Sequence, residues 1–180
     1  MAQLKVFEAK DPSSFKEYKE FSTAQKVLSQ IDIKLENWHP EETLPKGASS
    51  EAILKAFSSS IEKLRKERGF TTADVIALTP ENPQKDVLRE KFLKEHTHTD
   101  DEARYFVDGE GLFYVHKQDK VYGILCQKGD LINVPKGTKH WFDMGPNPSF
   151  QCIRVFTNEE GWVAENTGSS IAENFPVLEN

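Results

Sequence analysis

From His96 to about residue 165 the chain is cut into short apolar runs by turn residues at close intervals, and this patterning constrains the fold more than any other feature. The breaks fall at Asp108-Gly109-Glu110-Gly111, Gln118-Asp119-Lys120, Lys128-Gly129-Asp130, Pro135-Lys136-Gly137 and Gly145-Pro146-Asn147-Pro148. Strand-length segments at such spacing read as an antiparallel sandwich or barrel. Residues 1–95 have a different texture. Asp11-Pro12 resembles a helix cap followed by proline in the first turn, and it opens a stretch predicted to be helical to about Gln30. A short extended segment is expected over residues 31–38. Between Ser49 and Arg68, the side chains Ile53, Phe57, Ile61 and Leu64 share one helical face, and Gly69 stands where that helix would stop. After an apolar run at 75–78, Asn82-Pro83 introduces a third helix carrying Val87, Leu88, Phe92 and Leu93 toward His96. The expected class is mainly β with helical additions (α+β), the N-terminal helices packing around an antiparallel barrel.

No proline-rich or serine-rich linker divides the two textures, so residues 1–180 read as a single domain. Its parts are a helical region at 1–95, barrel strands at 96–165, and a polar tail at 166–180 that is loosely attached. A chain of 180 residues can bury a core without disulfides or a structural metal, so a metal here would not be merely a staple. The 29 acidic residues against 23 basic ones, for a formal charge of −6, disfavour nucleic-acid phosphates as partners, which call for a basic face. Cys126 and Cys152 lie among apolar strand-like residues and read as reduced thiols rather than a disulfide framework. Charge appears too early in the sequence for a secretory segment. No stretch approaches the roughly 18 apolar residues of a membrane-spanning helix. The expectation is a cytoplasmic protein that engages neither membrane nor nucleic acid.

Three of the five histidines fall into a chemical pattern. His96-Thr97-His98 places two imidazoles at i and i+2, which on a strand share one face, and Glu102 follows four residues later. A second segment, from Gly129 through Pro135 and Gly137, delivers His140 from another strand. Three neutral imidazoles and a carboxylate suit Fe, Ni, Cu or Zn far better than Ca or Mg. On an octahedral ion they would leave two positions open. Strand parity carries Arg104 and Phe106 to the side of Glu102, and Phe142 to the side of His140. A divalent ion with one carboxylate, joined by Arg104, makes a positive pocket for a small anionic chelator, which Phe92, Phe142 and Trp162 could wall off. Bland roles stand beside these. Arg104 could serve an ion pair, Arg154 either an ion pair or substrate contact, and Phe142 and Trp162 the core. Glu95, Asp100 and Asp101 read either as solvated charge or as carboxylates that orient ligands. His39 and His116 have no such company and read as solvent-facing or hydrogen-bonded.

The stretches His96-x-His98-x3-Glu102-x6-Gly109 and Gly129-x5-Pro135-x-Gly137-x2-His140 resemble the two cupin motifs, with Glu90 and Met144 standing where those motifs often have Gly and Asn. The fuller strings, residues 91–98 with 102–106 and residues 134–143, resemble the acireductone dioxygenase family across nearly the whole chain. The resemblance implies a cupin-type jelly roll and one divalent metal per chain, Fe(II) or Ni(II), held by His96, His98, Glu102 and His140. It further implies O2 and the anionic enediol 1,2-dihydroxy-5-(methylthio)pent-1-en-3-one as substrates in methionine salvage, handled by a monomer. Iron enzymes of the family yield formate and 4-methylthio-2-oxobutanoate, and nickel enzymes yield formate, carbon monoxide and 3-(methylthio)propanoate. By the same analogy Arg104 stabilises the substrate dianion, Glu95 assists metal incorporation, and Asp101 couples the metal to the adjacent loop.

Overall fold

The structure, a computed structural model, describes residues 3–40, 43–158 and 163–180. In chain order it contains β1 (Gln3–Glu8), β2 (Asp11–Tyr18), α1 (Phe21–Ser29), β3 (Lys34–Asn37), α2 (Ser50–Ala56), α3 (Ser58–Arg68), β4 (Thr72–Leu78) and α4 (Lys85–Phe92). There follow β5 (His96–Thr97), β6 (Glu102–Lys117), β7 (Lys120–Gln127), β8 (Asp130–Val134), β9 (Lys139–Asp143), β10 (Phe150–Phe156), β11 (Glu165–Asn166) and a 3-10 turn, Ile171–Asn174.

The strands pair antiparallel and form two layers joined through β6. One layer runs β11-β5-β9-β6-β7-β1-β2, and the other is built from β3, β8, β10 and β4 around the first half of β6. The sheet is not closed. Residues 102–105 of β6 pair with β8, whereas residues 110–117 pair with β7. The strand passes between layers at Gly109, whose φ is +75°, and a Cβ there would lie 1.9 Å from the Ser149 carbonyl oxygen. Both the left-handed backbone and the close approach require glycine. The expected turn at 108–111 is therefore a bend inside one 16-residue strand.

Side-chain alternation along the strands sets the packing. Phe106, Phe113 and Phe142 face inward, with Cys126, Cys152 and Ile132, into the core between the layers. Both cysteines are free and buried. Their neighbours Tyr105, Leu131, Ile153 and Val155 face outward and are covered by Ile53, Phe57, Ile61 and Leu64 of the helices, the predicted helical face. On the other layer Phe7, Tyr114 and Trp141 are covered by Phe175.

Three local expectations change. Residues 11–18 form a strand rather than a helix. Proline after aspartate suits the start of a strand at the end of a sheet as well as the first turn of a helix, and β2 ends the strand order. The helix begins instead at Phe21, where Ala24 and Leu28 supply buried positions four apart. The long helix at 49–68 is two, broken at Phe57 (φ −111°, ψ 15°). Phe57 is buried against Tyr105 at 4.6 Å between ring centroids, and the serines at 58–60 that follow are weak helix formers. The region before His96 thus holds four strands as well as four helices among the described residues. Finally, the tail is held rather than loose: Phe175 is buried, and the Tyr114 hydroxyl donates to the Pro176 carbonyl at 2.7 Å.

Candidate metal centre

β5 lies between β11 and β9, with His96 directly opposite His140. His98 follows just beyond β5, and Glu102 opens β6 four residues later. The three imidazoles approach with ring centroids 4.4 to 5.0 Å apart, and one nitrogen from each falls within 4.8 Å of the others. All three are buried. Each ring is aimed by its other nitrogen: Nδ1 of His96 lies 2.7 Å from the Lys94 carbonyl, that of His98 3.2 Å from the Val163 carbonyl, and that of His140 2.8 Å from the Thr138 carbonyl. A carbonyl only accepts, so each Nδ1 carries the proton and each Nε2 presents a lone pair to the centre.

Glu102 stands in that centre. Its Oε2 is 3.1 Å from His98 Nε2 and 3.3 Å from His140 Nε2, and its Oε1 is 2.9 Å from Arg104 Nη2. His140 Nε2 and Glu102 Oε1 are nonetheless buried without a properly angled hydrogen bond. Buried polar atoms in this condition are costly. Lone pairs from three imidazoles and a carboxylate converging on one point are a donor set that a divalent transition metal satisfies.

The electrostatics separate the histidines. Burial, then the neighbouring His140, pushes the His96 pKa down to about 4. Burial acts the same way on His98, but the hydrogen bond and charge of Glu102 outweigh it and raise that pKa. Burial opposes charge on Glu102 too, yet Arg104, His140 and His98 hold its carboxyl well below the usual range. In the metal-free chain His96 should therefore remain neutral when His98 is already protonated. An ion competes for the lone pair that the His98 proton occupies, so affinity should fall about tenfold per pH unit as pH drops through that titration. Cobalt(II) binding measured between pH 6 and pH 8 checks this, and an affinity flat across the range would contradict it.

The centre opens into a cavity of about 260 Å³ lined by Phe92 and Phe142, as expected, and by Arg104 and Arg154. The Arg104 guanidinium lies 4.7 Å over the Phe142 ring and 5.2 Å over Phe113. Arg154 forms a two-pronged ion pair with Asp74, at 2.8 and 2.5 Å, while bordering the cavity. Sequence reasoning missed Ile76, Leu88, Lys91, Phe113 and Ala164 in the wall. The spacing of Leu88 and Phe92 on one helical face was the available signal. Trp162 lies outside the described residues.

The acidic residues near the candidate ligands are each held in hydrogen bonds. Asp101 Oδ1 accepts the Lys136 amide at 2.8 Å, and the Gly137 amide donates to the His98 carbonyl at 2.9 Å, docking the turn that leads to His140. Asp100 is buried and accepts amides from Thr157 and Asn158. Glu95, also buried, is held by His116 Nδ1 at 2.6 Å and the Thr167 hydroxyl at 2.7 Å. His116 is accordingly hydrogen-bonded and His39 exposed, matching the two roles left open for them.

A buried three-histidine cluster in a mostly antiparallel double layer of strands defines a metal-binding β protein. Within that class the chain matches the ARD/ARD' family over residues 3–164 and belongs to it. It is 51% identical to acireductone dioxygenase of Hahella chejuensis over 99% of this chain and 97% of that protein. It is 57% identical to that of Aquifex aeolicus over 84% and 83%. The solved structure of acireductone dioxygenase from Bacillus anthracis, with a cadmium ion in its active centre, superposes with a TM-score of 0.78 at 31% identity, covering 92% of this chain and 98% of that one. The chain is thus a dioxygenase of this family.

Proposed function

We propose that the chain cleaves the acireductone 1,2-dihydroxy-5-(methylthio)pent-1-en-3-one with O2, using one Fe(II) or Ni(II) ion held by His96, His98, Glu102 and His140. The observation that carries this is the convergence of three carbonyl-anchored imidazoles on a buried carboxylate, in a chain whose relatives bear that activity in their names. An ion held by His96, His98, Glu102 and His140 would supply a Lewis acid toward the anionic enediolate. Arg104 sets positive charge beside that anion, its guanidinium fixed by Glu102 and by the Phe142 ring. Phe92 and Phe142 exclude water and receive the thioether tail, and Arg154 borders the anionic end. A cavity near 260 Å³ is small beside the roughly 300–1,000 Å³ of pockets for larger ligands, which suits so short a substrate. Glu95 assists metal incorporation, and Asp101 couples the centre to the turn at 135–137.

The iron form gives formate and 4-methylthio-2-oxobutanoate; the nickel form gives formate, carbon monoxide and 3-(methylthio)propanoate. This reading carries methionine salvage as the pathway, the cytoplasm as location, a monomer as the working state and one cupin domain over 1–180. No helix among the described residues is long and apolar enough to cross a membrane. Oxygen uptake and headspace carbon monoxide should be followed on separately loaded forms. Uptake by both with carbon monoxide from nickel alone is expected, and no uptake by either would defeat the proposal.

A further inference from the structure

β9 has two chemically distinct faces. His140 and Phe142 point to the cavity, while alternation sends Trp141 and Asp143 to the opposite side. There the last six residues of the chain are fastened. Phe175 packs on Trp141 at 5.8 Å and on Phe7 at 5.4 Å between centroids. Asn180 accepts from the Asn147 amide at 3.0 Å and donates to the Met144 carbonyl at 3.0 Å.

Asp143 joins this tail to α4. Its side chain is fully buried and accepts the Leu178 amide at 2.7 Å, the Gly145 amide at 2.9 Å, and Nε and Nη2 of Arg89 at 2.8 and 3.2 Å. Arg89 Nη2 also reaches the Leu178 carbonyl at 3.4 Å. A buried carboxylate with this many donors ties three segments at one point, and the fork of an arginine fixes direction as well as distance. α4 otherwise buries no residue fully, yet it presents Leu88, Lys91 and Phe92 to the cavity. Beyond the partial packing of Leu88 and Phe92 on the core, its placement against β9 rests on the Arg89–Asp143 ion pair.

We propose that residues 175–180 form a clasp that, through Asp143 and Arg89, positions α4 as one wall of the substrate cavity, making Arg89 a positioning residue for substrate binding. The clasp acts on where Phe92 stands relative to Phe142, whose rings are 6.3 Å apart. The kinetic arm of the test rests on the acireductone reading; the exchange arm does not.

Arg89→Gln in the metal-loaded full chain should raise KM about tenfold while kcat stays within about threefold, because a wall is misplaced and the reacting centre is intact. Amide exchange across 85–92 should quicken by about tenfold, with metal content unchanged. Arg89→Lys, which keeps the charge and loses the fork, should recover part of both effects. A chain ending at residue 174 should behave like Arg89→Gln or worse. Wild-type exchange in α4 of Arg89→Gln would overturn the proposal whether or not the truncated chain folds. So would quickened exchange with unchanged KM, or a KM effect that tracks loss of metal. Should the wild type fail to consume acireductone, the functional reading falls while exchange still decides the clasp.

Discussion

Replacing His140 with alanine should abolish stable metal retention and lower turnover by at least about a thousandfold, since in the proposed reaction the ion activates the substrate. His140 is paired directly with His96 across β5 and β9, and its Nε2 is one of the buried atoms lacking a hydrogen bond. Its removal therefore takes one donor from the centre while relieving an unsatisfied polar atom. The metal-free variant should consequently melt within a few degrees of the metal-free parent, about 1–2 kcal/mol being lost to the small void. Elemental analysis of the purified variant and oxygen uptake with acireductone give the two readouts. Turnover near the wild-type level in a metal-free variant would remove the ion from the reaction altogether.

Arg104→Ala should separate binding of the ion from use of the substrate. The guanidinium is buried, paired with Glu102 and held over two aromatic rings, so the variant loses a fixed positive charge beside the place where an anionic enediolate would sit. Losing one oriented donor to developing negative charge costs about 10²–10³ in kcat, or about 3–4 kcal/mol. The three histidines keep their carbonyl anchors, so metal should still be retained. Glu102 loses the partner that most lowers its pKa, and metal affinity should consequently become more sensitive to mild acid than in the parent. Full activity in Arg104→Ala, or loss of metal at neutral pH, would each contradict this division of labour.

The candidate ligands were legible because strand alternation converts sequence spacing into direction. His96 and His98, Glu102 and Arg104, and His140 and Phe142 each keep their parity, and the structure brings all six to one cavity. The helical face of Ile53, Phe57, Ile61 and Leu64 was legible for the same reason, with a period of 3.6 in place of two. What escaped depends on partners distant in sequence. β2 is a strand because β1 is there to pair with it, the two rings Phe7 and Phe15 facing each other across the hairpin; nothing in residues 11–18 alone outweighs Asp-Pro as a helix start. The kink at Phe57 answers to Tyr105 across the interior. The tail reads as polar residues around one phenylalanine, and only the fold reveals a buried aspartate 35 residues upstream waiting for the Leu178 amide. Asp100 was read, with Glu95 and Asp101, as either solvated charge or a carboxylate that orients ligands, because burial of a carboxylate leaves no trace in local composition.

The pairing of β1 with β7, in which Gln3 sits opposite Leu125, also sets an order of events during synthesis. Roughly 120 residues separate the two strands, so at ~5–20 residues per second the first hairpin must wait on the order of ten seconds for its neighbour to leave the ribosome. Throughout that interval one edge of β1 is an open template for any passing strand. Lys5 and Lys16 on the strands of this hairpin, with Pro12 at the start of β2, are residues that discourage such pairing. The newborn chain thus carries its own protection against aggregation in the hairpin that has longest to wait.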